Sequence, residues 1–190
     1  MLNPRVVGID LSLTGTGLAA VGTLTVGGSA DLAVRTIKST GRKDDTLRQR
    51  RERIYQIASS VARFAQGAQL AVIEGPSFMS KGGSNWDRAG LWWSVVDLLM
   101  LEPIDIAVAP PTVVKKFAAG KGNADKTAVA GGIVRLWGER CSASNDNEYD
   151  ALTLATMGAQ RLGIPGVPTR AHHEAALASV AWDQPEGAAA

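Results

Sequence analysis

Cysteine is almost absent from this sequence: Cys141 is the single example in 190 residues. An internal disulfide and a Cys-rich zinc site are thereby excluded. Histidine is nearly as scarce, and the adjacent pair His172 and His173 is too little for a metal site without other partners. No apolar run reaches the ~20 residues of a membrane-spanning helix. The opening "MLNPR" passes straight into an apolar stretch with no signal-peptide pattern, so the expectation is a cytoplasmic protein without a membrane partner. Internal repeats are missing, and so is a Walker A loop, because "GNADKT" places Asp125 where that motif needs glycine before the lysine. Net charge is only +2, so composition alone does not mark a nucleic-acid binder.

What is present fits one soluble globular domain long enough to bury a core, with 45% apolar and 20% charged residues. The positive charge is unevenly spread. Arg42, Lys43, Arg48, Arg50, Arg51 and Arg53 form one group, and Lys115, Lys116, Lys121 and Lys126 a second.

The pattern along the chain alternates strands and helices. "VVGID" reads as a buried strand, followed by a Thr/Gly turn and two more strands at 18–26 and 32–39, separated by Gly27-Gly28, as an antiparallel meander. Leu47, Ile54, Ile57, Val61 and Phe64 recur at helical spacing after a Thr46/Gln49 capping box. "LAVIEG" at 70–75 is a fourth strand and "IDIAVAP" at 104–110 a fifth. Between them, Trp86 to Leu101 has helical length but is apolar almost all round, which predicts sheet packing on one side and a partner subunit on the other. A short helix over 112–119, a helix capped by Asn123, and a helix over about 146–162 with Asn145 as cap and Glu148 as its third residue complete a domain spanning 1–163. Gly131-Gly132 in the second of these would let another element approach closely. The Pro/Gly/Ala-rich remainder, 164–190, reads as a flexible tail with one helical segment, "HHEAALASVAW".

Two strands end in acids. Asp10 closes the first and Glu74 the fourth, and Asp150 lies on the last helix. A buried carboxylate is costly unless something cationic meets it, whereas an aspartate that caps the Thr14–Gly17 turn has a purely local explanation. If the first and fourth strands are neighbours, Asp10 and Glu74 stand side by side, and a divalent cation is the simplest means of keeping both ionised, with Asp150 as third ligand. Oxygen donors without Cys or His favour Mg²⁺ or Mn²⁺ over Zn²⁺.

Four stretches in order, "VVGIDLSLTGTGLA", "LAVIEGPSF", "PPTVVKKFAAGKGNADK" and "NEYDALTLA", make the chain resemble the RuvC family of Holliday-junction resolvases in its phage-type branch. The resemblance implies an α/β RNase H-like fold with a five-stranded mixed sheet flanked by helices. It further implies metal-dependent cutting of paired strands in a four-way DNA junction by a homodimer, with two Mg²⁺ or Mn²⁺ ions per site. By position, Asp10, Glu74 and Asp150 match the family's metal-binding catalytic acids. The family's usual fourth group, three residues before the last acid, is replaced by Asn147; Asp146, on the same helical face as Asp150, is the substitute, unless it only complements the helix dipole. Lys115 and Lys126 match family lysines on either side of the Gly120/Gly122 turn, Lys126 within the catalytic group. With Lys116 and Lys121 they offer positive charge to DNA phosphates, the alternative being solvated side chains. Phe78 matches an aromatic that wedges into junction bases, or else packs within its loop. Arg48 and Arg51 face the DNA backbone or simply solvent.

Other readings stay open on sequence alone. They are a nuclease that debranches forks or flaps, a junction binder that does not cut, favoured by Asn147, and an ATP-binding protein of the actin and sugar-kinase type. "GIDLSLTGTG" resembles the first phosphate loop of that last group, but no second Gly-rich phosphate loop follows.

Overall fold

Strand alternation organises the molecule. In a computed structural model describing residues 5–23, 30–76 and 84–182, β1 (Arg5–Asp10) sends Val6 into one apolar cluster and Val7 and Ile9 into another. The first strand therefore has helices on both sides.

Around β1 the sheet contains β2 (Gly15–Thr23), β3 (Ala30–Lys38), β4 (Leu70–Glu74), β5 (Asp105–Ala109) and β6 (Ala181–Trp182), in the spatial order β3-β2-β1-β4-β5-β6. The first three strands pair antiparallel as a meander, β1–β4 and β4–β5 are parallel, and β6 returns antiparallel to β5. The mixed α/β architecture matches the sequence expectation, with one strand more than the expected five. The extra strand corrects the reading of 164–190 as a tail as far as residue 182. Ile164, Ala176 and Val180 are buried, and His173 stacks on Phe117 with ring centroids 3.8 Å apart. The larger apolar side chains of the segment reach the core, with Val167, Leu177 and Trp182 packed against it as well. Residues 183–190 of that expected tail and the Gly27-Gly28 turn lie outside the described residues.

One sheet face is covered by α1 (Leu47–Ala65) and α2 (Asn85–Leu99), the other by α3 (Pro111–Ala119), α4 (Lys126–Trp137), α5 (Asp146–Arg161) and the short α6 (His173–Leu177). The Thr46/Gln49 capping box forms as expected. Arg50 joins α1 to α2 by two hydrogen bonds to Asp87, at 3.0 and 2.6 Å. Helix α2 buries Leu91, Val95, Val96 and Leu99, while Trp86 and Trp93 stay exposed. The cap of α4 is Asp125, accepting from the Ala128 N–H at 2.8 Å, and not Asn123, which sits in the turn before it. Gly132 allows the expected close approach: a Cβ there would lie 2.0 Å from the Ala118 carbonyl of α3. Among the described residues no helix is long and apolar enough to cross a membrane.

Helix α5 lies directly on the sheet because glycines make room for its backbone. A Cβ on Gly8 would stand 2.1 Å from the Ala151 carbonyl oxygen, and one on Gly17 2.0 Å from that of Asn147. The first turns of α5 are thus pressed onto β1 and β2.

Candidate active site

The register of the parallel pair brings the two strand-end acids together. Val6 faces Leu70 and Ile9 faces Ile73 across β1 and β4, so Asp10 falls beside Glu74 one step further on. Both follow the parity of Val6 and Gly8 on β1 and of Leu70 and Val72 on β4, which is the α5 face of the sheet. Asp150 joins them from α5, whose next residue, Ala151, rests on Gly8. The indole N–H of Trp92 holds the end of β4 by donating to the Glu74 carbonyl at 3.3 Å.

The electrostatics of the three acids are coupled. Burial, then the charges of Glu74 and Asp150, push Asp10 up to about 8, against a smaller opposing effect of Lys126. Burial and the Asp150 charge push Glu74 up to about 7, opposed by Lys115. Asp150 is raised to about 6 by burial foremost; Lys126 and Lys115 act downward on it and Asp146 upward. The two lysines named from the sequence, one on α3 and one opening α4, therefore flank the acids.

The other expected site residues divide. Asp146 is exposed and its carboxylate accepts from Lys126 Nζ at 3.0 Å. Asn147 rests its carbonyl and side-chain amide on Gly17 and Gly15 of β2. Lys116 donates to the Ala175 carbonyl at 3.3 Å, towards α6. Lys121 is exposed in the turn before α4, and Arg48 and Arg51 are exposed on α1, Arg51 lying 5.5 Å from the Tyr55 ring centroid. Phe78 lies outside the described residues. Within the basic cluster, Arg50 and Arg53 serve the fold: Arg53 donates to the Ser39 hydroxyl at 2.8 Å and to the Leu13 carbonyl.

Glu148, in the first turn of α5, behaves oppositely to the acids beside it. Burial acts to raise its pKa, but hydrogen bonds from the Ser144 N–H, the Thr36 and Ser144 hydroxyls and Asn145 outweigh that and hold its carboxyl below the usual range. Sequence spacing identified this residue only as part of a helix cap. Thr36 is 112 positions away and leaves no local signal.

Among the described residues no three Asp, Glu, His or Cys side chains form a finished coordination group. The donor chemistry nevertheless fits Mg²⁺ or Mn²⁺. Three clustered carboxylates with raised pKa values are ionised together at neutral pH when a cation compensates them, and hard divalent ions take oxygen donors.

A pH effect follows for the DNA-free protein in EDTA. Folded pKa values of about 8, 7 and 6 lie above the ~4 of unfolded carboxyls, so the fold favours the protonated acids. That stability is complete below the unfolded value and is lost as pH rises through the folded ones. His173, lowered to about 4 by burial first and by His172 and Arg170, gains stability up to its unfolded value of about 6.5 and is silent above it. Between about pH 6.5 and 8.5 the Tm in EDTA is therefore expected to fall, less steeply in Asp10→Asn. Thermal melts across that window check it, and a flat profile would contradict the coupling.

No protein-family model matches the chain, and no curated protein matches it in sequence. Solved structures do match. RuvC of Thermus thermophilus, alone and in complex with Holliday junction substrate, superposes with a TM-score of 0.66 at 22% identity, covering 87% of this chain and 99% of RuvC. Fowlpox virus resolvase in complex with substrate Holliday junction DNA gives 0.56 at 12% identity, covering 83% of this chain and 98% of that one. The strand order, the helices on both faces and these superpositions together give the chain the RNase H-like fold in the form seen in RuvC.

Proposed function

We propose that the protein is a divalent-metal-dependent endonuclease that resolves four-way DNA junctions by paired phosphodiester hydrolysis. The observation that carries this reading is the convergence of Asp10, Glu74 and Asp150 at one sheet end, flanked by Lys115 and Lys126, in a RuvC-type fold. Two Mg²⁺ or Mn²⁺ ions, when bound, would supply Lewis acidity for displacement at phosphorus. Asp10, Glu74 and Asp150 hold them, with Asp146 as the further acid of the set. Lys115 and Lys126 bind the phosphate on either side of the scissile bond and orient it towards the acids. The ion pair of Lys126 with Asp146 is exposed; such pairs hold by about 1 kcal/mol or less, so a phosphate can replace the carboxylate. Lys116, Lys121, Arg48 and Arg51 extend the positive surface along the DNA arms, and Phe78 wedges into the bases.

The protein acts as a homodimer through α2. Trp86 and Trp93 of α2 and Met100 at its C-cap are 86%, 60% and 68% exposed and recur every seven residues, so they line one stripe that none of the described residues covers. Trp93→Asp is expected to convert dimer to monomer in sedimentation, with a loss of paired cutting; an unchanged dimer would place the interface elsewhere.

Incubating labelled junction, fork, flap and linear duplex with Mg²⁺, Mn²⁺ or EDTA tests the substrate assignment. Nicks confined to the junction support it, nicks only in forks or flaps assign the debranching activity instead, and binding without cutting in either metal assigns an architectural role.

A further inference from the structure

Glu148 is 8% exposed, and both of its carboxylate oxygens are occupied. Oε1 accepts from the Thr36 hydroxyl of β3 at 2.8 Å, and Oε2 accepts from the Ser144 N–H and the Ser144 hydroxyl, each at 2.9 Å. Asn145 closes the network, its amide donating to the Thr36 oxygen at 3.1 Å while its carbonyl oxygen accepts from the Glu148 N–H at 3.2 Å. The anchor point is specific. Thr36 pairs with Gly17 across β2–β3, and Gly17 pairs with Asp10 across β1–β2, so the clamp grips the sheet row that ends in Asp10. Glu148 and Asp150 are two residues apart, which turns them about 200° from each other around α5. Fixing one on β3 therefore fixes the direction of the other.

We infer that Glu148 is a positioning residue: by clamping the first turn of α5 to Thr36, it sets where Asp150 stands relative to Asp10 and Glu74, and with that the affinity of the three acids for a divalent cation. This rests on the reading of those acids as the cation-holding set. Helix α5 carries one member of the set while β1 and β4 carry the others, so any rocking of its first turn changes the distance between donors. Charge-assisted hydrogen bonds to a buried carboxylate are the strong kind that resist such rocking. A glutamine replaces them only in weakened form: with its carbonyl oxygen towards the Ser144 donors its NH₂ meets the Thr36 oxygen, which must then accept from it as well as from the Asn145 amide, and the charge that strengthens all of these bonds is gone.

The test is Mn²⁺ binding to the DNA-free protein, followed by the electron paramagnetic resonance signal of free Mn²⁺, in wild type, Glu148→Gln, Thr36→Val, Asp150→Asn and Ile57→Val. Ile57 is in the core on the opposite sheet face and supplies a variant destabilised without touching α5. Glu148→Gln and Thr36→Val are expected to weaken Mn²⁺ binding by about tenfold or more, as loss of an outer-shell partner does. The Mn²⁺ concentration needed for half-maximal cutting should rise in parallel, with kcat recovering at saturation and junction binding in EDTA unchanged. Should Glu148→Gln fail to fold, Thr36→Val decides. Wild-type Mn²⁺ affinity in Thr36→Val and in folded Glu148→Gln, together with a Tm loss like that of Ile57→Val, would overturn the inference and leave Glu148 a stabilising residue only. A wild type that binds no Mn²⁺ would instead overturn the reading of the acids themselves, and this inference with it.

Discussion

Asp10→Asn is expected to lower junction cleavage by about 10³-fold or more, equivalent to ~4 kcal/mol of transition-state stabilisation, while junction binding in EDTA is kept or strengthened. The two effects separate because they come from different residues. The amide matches the carboxylate in size, so β1 and its neighbours stay packed, but it removes the charge that a divalent ion needs from this donor. DNA phosphates meet Lys115 and Lys126, which the substitution leaves in place, and at a pH above about 8, where Asp10 is ionised in EDTA, one negative charge fewer beside them favours the phosphate. The same variant should melt higher than wild type in EDTA above pH 7, since the pKa of Asp10 is raised to about 8 by burial and by two neighbouring acids. Single-turnover cleavage and gel-shift titration of one labelled junction check the separation. Cleavage at the wild-type rate would remove Asp10 from the active site.

The second large effect is structural. Gly8→Ala places a methyl group 2.1 Å from the Ala151 oxygen, 2.3 Å from the Ala155 nitrogen and 2.9 Å from the Leu154 Cβ. Two of these are helix backbone, which cannot rotate away as a side chain can, so α5 must lift from β1. Overpacking of this kind costs about 3 kcal/mol, which for a domain of this size lowers Tm by roughly 6–12 °C. The lift occurs beside Asp150, so cutting should be lost even at temperatures where the variant is folded. Gly90→Ala is the control: in α2 the added carbon meets only the Ile54 Cδ1, at 3.6 Å, and removing glycine from a helix interior stabilises by about 0.5–1 kcal/mol. Calorimetry of the two variants distinguishes a blocked contact from a general intolerance of alanine.

Much of this site was legible in the sequence because it rests on short-range rules. An acid ending an apolar strand is conspicuous, and the recurrence at Asp10 and Glu74 became a pair once the first and fourth strands were taken as neighbours, which the register bears out. Helices α1 and α5 announced themselves through apolar spacing and capping residues. The features that escaped depend on partners distant in the chain. Nothing near Thr36 points to Glu148, and nothing near Lys126 points to Asp146. The arginine cluster read as one surface patch, yet Arg50 and Arg53 are occupied inside the fold by Asp87, Ser39 and the Leu13 carbonyl. Composition also misjudged residues 164–182, where Ile164, Ala176 and Val180 in the core, Val167, Leu177 and Trp182 packed against it and a stacked histidine dock the segment and add a strand to the sheet.

The most direct measurement is the product formed from a supercoiled plasmid that extrudes a cruciform, incubated with the protein in Mg²⁺, in Mn²⁺ and in EDTA. Paired hydrolysis across a four-way junction predicts linear plasmid with both cuts at the cruciform base, in either metal and not in EDTA, and none from Asp10→Asn. Intact plasmid in both metals, or equal cutting of a plasmid without the cruciform, would contradict the assignment.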